Sequence, residues 1–161
     1  MLITNHVLSG AAIGAVARGP AQAFTLGVAS HFALDAVPHW GNWRDRKHFM
    51  HTAVRDGLAG LAIMGTMTAA APAGRRLTML AGMTGAALPD IDKPCRIFLG
   101  FSPFPRSVDW FHSVIQRESQ DRAPVEVVAG MTFTGAALTA LRWRRRNAQL
   151  APSTVPSGTV R

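Results

Sequence analysis

The chain is short of charge: Asp, Glu, Lys and Arg make up only 16% of its residues, against 48% hydrophobic, where an ordinary soluble domain carries about 25% charged residues. That shortfall needs a structural explanation. A single cysteine, Cys95, excludes an internal disulfide framework and a Cys-rich zinc ribbon, and reads as a small buried apolar residue. No Lys or Arg precedes the first apolar run, Met1–Ala17, so a secretory leader is not expected, although Ala15-Val16-Ala17 mimics a cleavage box. There is no tandem repeat. Nor does any uncharged run reach the ~20 residues that span ~30 Å of hydrocarbon.

What is present fits one domain of 161 residues, residues 1–146, followed by a Pro-, Ser-, Thr- and Gly-rich tail, 147–161, expected to be disordered. Five stretches lack formal charge: Met1–Ala17, Gly19–Leu34, Gly57–Gly74, Leu77–Pro89 and Val127–Leu141. Rich in Ala, Gly, Leu, Val and Met, they predict an all-α bundle of about five apolar helices with an irregular loop over 93–122. Asn5, Asp56 and Asp121 suit helix starts, with Asp56 capping the third helix, and Pro124 suits the first turn of the last. Nearly every helix is apolar all round, which favours embedding in a membrane over a soluble bundle. Snorkelling side chains at the ends would make up the missing length.

If the helices alternate in direction, every Asp and Glu and all six histidines gather at one end, and Arg18, Arg75, Arg76, Arg142, Arg144, Arg145 and Arg146 gather at the other. The formal net charge of +8 is therefore polarised. The Arg142–Arg146 cluster places the tail in the cytoplasm and the acidic, histidine-rich end outside. It explains itself as a membrane flank, so nucleic acid is not an expected partner. Trp40, Trp43 and Trp110 at one end and Trp143 at the other suit two interfacial belts. The Phe-rich segment Ile97–Phe111 either lies on the bilayer and admits a lipid or folds over the bundle as a lid.

The chemistry concentrates in Ser30–Trp40. His31 and Asp35 are one helical turn apart and share a face, and Pro38 places His39 just past the last turn. In Leu88-Pro89-Asp90-Ile91-Asp92-Lys93-Pro94 the flanking prolines favour extended backbone, which would let Asp90 and Asp92 share one ion. His6 and His112 belong to the same end; His48 and His51 follow a solvated Arg44–Lys47 stretch. Imidazole and carboxylate without thiolate suit Zn²⁺ first, then Mn²⁺ or Fe²⁺. The expected ligand set is His6, His31, Asp35, Asp90, Asp92 and His112, with His39 next, more than one tetrahedral ion needs. That leaves room for two metals or for residues supporting the ligands.

Asn5-His6, Ser30-His31-Phe32-Ala33-Leu34-Asp35, Leu88–Pro94 and Phe111-His112-Ser113-Val114-Ile115 together resemble the motifs of the LexA-regulated inner-membrane family of predicted metal-dependent hydrolases. A fainter likeness is to zinc-dependent phospholipase C, an all-helical fold with His and Asp ligands. Lys93 stands where the family has His, its His-Arg pair before His112 is absent, and the Ser-His-x-x-x-Asp element precedes the Pro-Asp-Ile-Asp element instead of following it. The resemblance implies an inner-membrane hydrolase. The expected activity is hydrolysis of a lipid-linked phosphoester or ester, with membrane lipid as partner and Asp35 or Asp92 as general base. Lys93, Arg96 or Arg106 would hold a phosphate. The alternative is a non-catalytic membrane protein whose His/Asp cluster binds ions or fixes helix packing.

Overall fold

The computed structural model describes residues 1–41 and 45–150; Trp43 and the tail from 151 onward lie outside the described residues. The chain is helical, as its composition requires: α1 (Ile3–Val16), α2 (Pro20–Asp35), α3 (Arg46–Ala70), α4 (Arg76–Ala87), α5 (Asp92–Phe98), α6 (Arg106–Ile115) and α7 (Ala123–Leu150). A minimal parallel pair joins β1 (His39–Trp40) to β2 (Glu118–Ser119), with His39 opposite Glu118. Two expectations are corrected. The 93–122 segment is not an irregular loop, because Pro94 and Pro105 fall at helix beginnings, where a missing N–H costs nothing. Residues 147–150 are not tail but the last turn of α7.

α1 is the central helix, packed against α2, α3, α4 and α7. Glycines make this possible. A Cβ on Gly10 would stand 2.5 Å from the Gly82 carbonyl oxygen, and one on Gly14 2.7 Å from Met79 Cα. Helices α1 and α4 therefore meet backbone to backbone, as small residues allow. Val7, Ala11, Ala15, Met79, Met83 and Ala137 are buried in the core around that contact.

Both ends of α1 are completed by charged side chains from later in the chain. At its N-terminus Asp56 of α3 accepts from Ile3 N (2.6 Å) and Thr4 N (3.2 Å), and Glu126 of α7 accepts from Leu2 N (3.1 Å) and Asn5 Nδ2 (2.7 Å). Asp56 thus caps α1, not α3, whose start is capped instead by Asp45 accepting from Lys47 N. At the C-terminus Arg75 donates to the Gly14 and Ala17 carbonyls, and Arg144 to those of Ala15 and Val16. Anions at the N-terminus and cations at the C-terminus complement the helix dipole while satisfying its orphan groups. These contacts, with Arg145 donating to the Ala70 carbonyl, set α1, α3 and α7 running from the acidic end to the arginine end, where α4 begins.

Among the described residues one helical stretch, Gln120–Asn147, is long and apolar enough to cross a membrane. α3 is of comparable length, but its first half carries Lys47, Arg55 and Asp56. Embedding of all five apolar helices therefore gains no support from helix length.

Candidate metal centre

The last turn of α2 and the last turn of α4 end at the acidic pole. There His31, Asp35, Asp90 and His112 each present one ligand atom, all within 4.8 Å of one another. His31 Nε2 lies 3.1 Å from His112 Nε2, 3.3 Å from Asp35 Oδ2 and 3.7 Å from Asp90 Oδ1. His112 Nε2 is 3.0 Å from Asp35 Oδ2 and 3.6 Å from Asp90 Oδ1. A tetrahedral Zn²⁺ with bonds of about 2.0–2.2 Å requires ligand–ligand edges of roughly 3.3–3.6 Å; these five edges lie around that range, and the whole group lies within 4.8 Å. All four side chains are buried or nearly so.

Hydrogen bonding fixes how the donors point. His31 Nδ1–H donates to the Ala86 carbonyl (2.7 Å), which turns Nε2 toward the other three residues. Orientation of a ligand imidazole by a backbone carbonyl is the usual support of a metal-bound histidine. Two carboxylates and two imidazole nitrogens then converge on one point, a group that could hold a metal ion.

Asp35 is held from both sides. Its Oδ2 faces the cluster and accepts from Gln116 Nε2 (3.2 Å), while its Oδ1 accepts from His6 Nε2 (3.1 Å) and from the Met1 ammonium (2.7 Å). The His6 ring stacks on His31 at a centroid distance of 3.9 Å. Asp90 is paired with Lys93 Nζ at 2.7 Å. Burial alone would raise the Asp90 carboxyl, but the Lys93 ammonium and the rings of His31 and His6 outweigh it and hold it below the usual carboxylate range. Burial pulls the Lys93 ammonium down, and Asp90 more than restores it.

The expected residues divide accordingly. His31, Asp35, Asp90 and His112 form the group; His6 and His39 reach the opposite oxygen of Asp35, His39 at 3.9 Å. Asp92 does not share an ion with Asp90. Leu88–Ile91 is a 3₁₀ turn and Asp92 opens α5, so the backbone is helical, not extended, and Asp92 faces Arg96 (3.5 Å) instead. Arg96 also pairs with Asp109, which removes it from the cluster. Arg106 is exposed at the first position of α6, and no contact among the described residues ties it to the site. Exposed His48 and His51 lie apart, on the first turns of α3.

Sequence reading missed Gln116, Glu118 and Glu126. Glu126 is buried and bridges α1 to β1, accepting from Trp40 N (3.2 Å) as well as from Leu2 and Asn5. Glu118 is brought beside His39 by the β1–β2 pair, a juxtaposition of segments far apart in sequence that no local spacing announces. No protein-family model, curated protein or solved structure matches this chain.

Proposed function

We propose that the chain is a membrane-bound, divalent-metal-dependent hydrolase of a lipid-linked phosphoester or ester. The observation that carries the reading is the buried His31–Asp35–Asp90–His112 group, whose ligand atoms all lie within 4.8 Å of one another. A bound ion, Zn²⁺ by donor type, would lower the pKa of its water toward ~7 and polarise the scissile ester oxygen. The chain's own residues hold and orient: Ala86 fixes the His31 ring, His6 and Gln116 fix Asp35, and Lys93 fixes Asp90.

Two features support a lipid substrate. An apolar groove of about 540 Å³ runs along α3 and α5, lined by Leu58, Leu61, Met64 and Phe98, and it reaches Asp90 and Lys93. An anionic head group entering along this groove would meet Lys93, which lines it beside Asp90. Beside the site, Phe98, Leu99, Phe101, Trp110 and Val114 are exposed, a surface suited to the bilayer interface.

The distribution of bulk supports the membrane. Small residues and polar groups fill the interior, while Leu58, Leu61, Leu77, Val127, Val128 and Met131 face outward, the arrangement expected when the surrounding medium is lipid. The arginine end is assigned to the cytoplasmic side and the metal centre to the outer side of the inner membrane.

A second reading, a non-catalytic polar core that only locks the helices together, draws on one observation. The Met1 ammonium and Lys93 already balance Asp35 and Asp90. Metal analysis and turnover of a phospholipid or lipid-phosphate substrate by purified protein separate the two. His31→Ala and Asp90→Ala should each lose the ion held by this group and all turnover, whereas full metal content in both variants would sink the hydrolase assignment.

A further inference from the structure

We propose a second divalent-cation site on the far oxygen of Asp35, formed by Asp35 Oδ1, His39 Nε2 and Glu118 Oε1, so that Asp35 bridges two ions. It rests on the reading of His31, Asp35, Asp90 and His112 as the first metal centre and deepens it.

His39 opens β1. Its side chain is fully buried, and Nδ1–H donates to the Val37 carbonyl (2.8 Å). That bond turns Nε2 inward, where it has no hydrogen-bond partner. Around it stand two carboxylate oxygens, Asp35 Oδ1 at 3.9 Å and Glu118 Oε1 at 3.8 Å. These separations are too long for hydrogen bonds. A buried Nε2 without a hydrogen-bond partner thus stands beside two carboxylate oxygens, and leaving such a group unsatisfied is costly.

A cation resolves it. Bonds of about 2.0–2.2 Å to N and O donors bridge the two gaps at wide but accessible angles. The Met1 ammonium, 2.7 Å from Asp35 Oδ1, supplies one positive charge nearby but leaves His39 unsatisfied; the ion takes its place on Oδ1. His6 Nε2, 3.1 Å from the same oxygen, steadies the bridging carboxylate.

The local fold has the means to build this site. Arg117 N donates to the Asp35 carbonyl and His39 N to the Arg117 carbonyl, so the β1–β2 pair locks His39, Glu118 and Asp35 into one register. Glu118 and Asp90 both line the apolar groove. One ion would be enclosed beside His31 and His112, and the second would face the groove with coordination positions open to substrate. Two ions sharing a carboxylate can bind the attacking and the departing oxygen of a phosphoester together.

The test counts metal. Protein stripped with chelator, loaded with Zn²⁺ and desalted is expected to retain two ions per chain by elemental analysis. Glu118→Gln and His39→Asn should each retain one, with unchanged far-ultraviolet circular dichroism, and the exposed double variant His48→Ala/His51→Ala should retain two. One ion in the wild-type chain overturns the second site and leaves the hydrolase reading standing; none overturns both. Two ions in correctly folded Glu118→Gln and His39→Asn would show that the second ion lies elsewhere, which overturns the assignment.

Discussion

Replacing Gly10 with alanine tests whether the contact between α1 and α4 is what positions the site. The added Cβ would lie 2.5 Å from the Gly82 oxygen, 2.7 Å from Met83 Cα and 2.8 Å from the Gly82 carbonyl carbon. All three are backbone atoms, so no side chain can rotate away. Restoring ordinary contact, which begins at 3.4 Å, requires the helices to part by close to 1 Å. That loosens the packing of Val7, Ala11, Met79 and Met83, and overpacking of this kind costs about 1–3 kcal/mol or more. Taking about 3 kcal/mol for a purely backbone clash, the thermal midpoint of a chain this size falls by roughly 6–12 °C. Gly65→Ala on α3 is the control, because nothing lies within 4 Å of its Cβ position and better helix propensity should make it neutral or stabilising by up to about 1 kcal/mol. Thermal unfolding followed by circular dichroism, in one detergent for all proteins, reads both variants. Since α4 supplies the Ala86 carbonyl and leads into Asp90, Gly10→Ala should also weaken Zn²⁺ binding. Equal midpoints for Gly10→Ala and Gly65→Ala would refute the close approach and the positional argument built on it.

Asp56→Ala should destabilise the fold by about 2–4 kcal/mol, the cost of leaving the Ile3 and Thr4 N–H groups without acceptors at a partly buried helix end. Chemical denaturation measures it, and a change below about 0.5 kcal/mol would show that the carboxylate does not cap α1. Stripping Zn²⁺ should lower stability by about 2.7 kcal/mol when the free metal had stood at a hundred times its dissociation constant. A thermal midpoint unmoved by chelation would favour the non-catalytic polar core.

Much of the site was legible because helical spacing is a local property. His31 and Asp35 face the same point as their four-residue separation demands, and Pro38 does end the helix before His39. Asp92 was misjudged because two prolines argue for extended backbone only when nothing continues the helix. Here a 3₁₀ turn carries α4 directly into α5, with Pro89 and Pro94 at early positions that tolerate them. The same tolerance hid α5 and α6 behind Pro94 and Pro105. Glu118 and Glu126 could not be read at all, since each owes its role to a partner from a remote segment: His39 in the parallel pair and the start of α1. Each of the five apolar stretches overlaps a helix, but charge hides the real bounds: α3 begins at Arg46, eleven residues before Gly57. Their packing through Gly10, Gly14 and Gly82 is tertiary information that composition hints at only through the abundance of glycine.

The way α1 is terminated bears on how the chain is made. This helix is synthesised before the residues that complete it: its opening amides wait for Asp56 and Glu126, and its closing carbonyls for Arg75 and Arg144. Until residue 144 has been synthesised α1 is an unfinished cylinder with bare polar tips, exposed to chaperones and proteases. A nascent chain stalled before α7 should therefore be a degradation substrate even though every residue of the metal centre has already been translated.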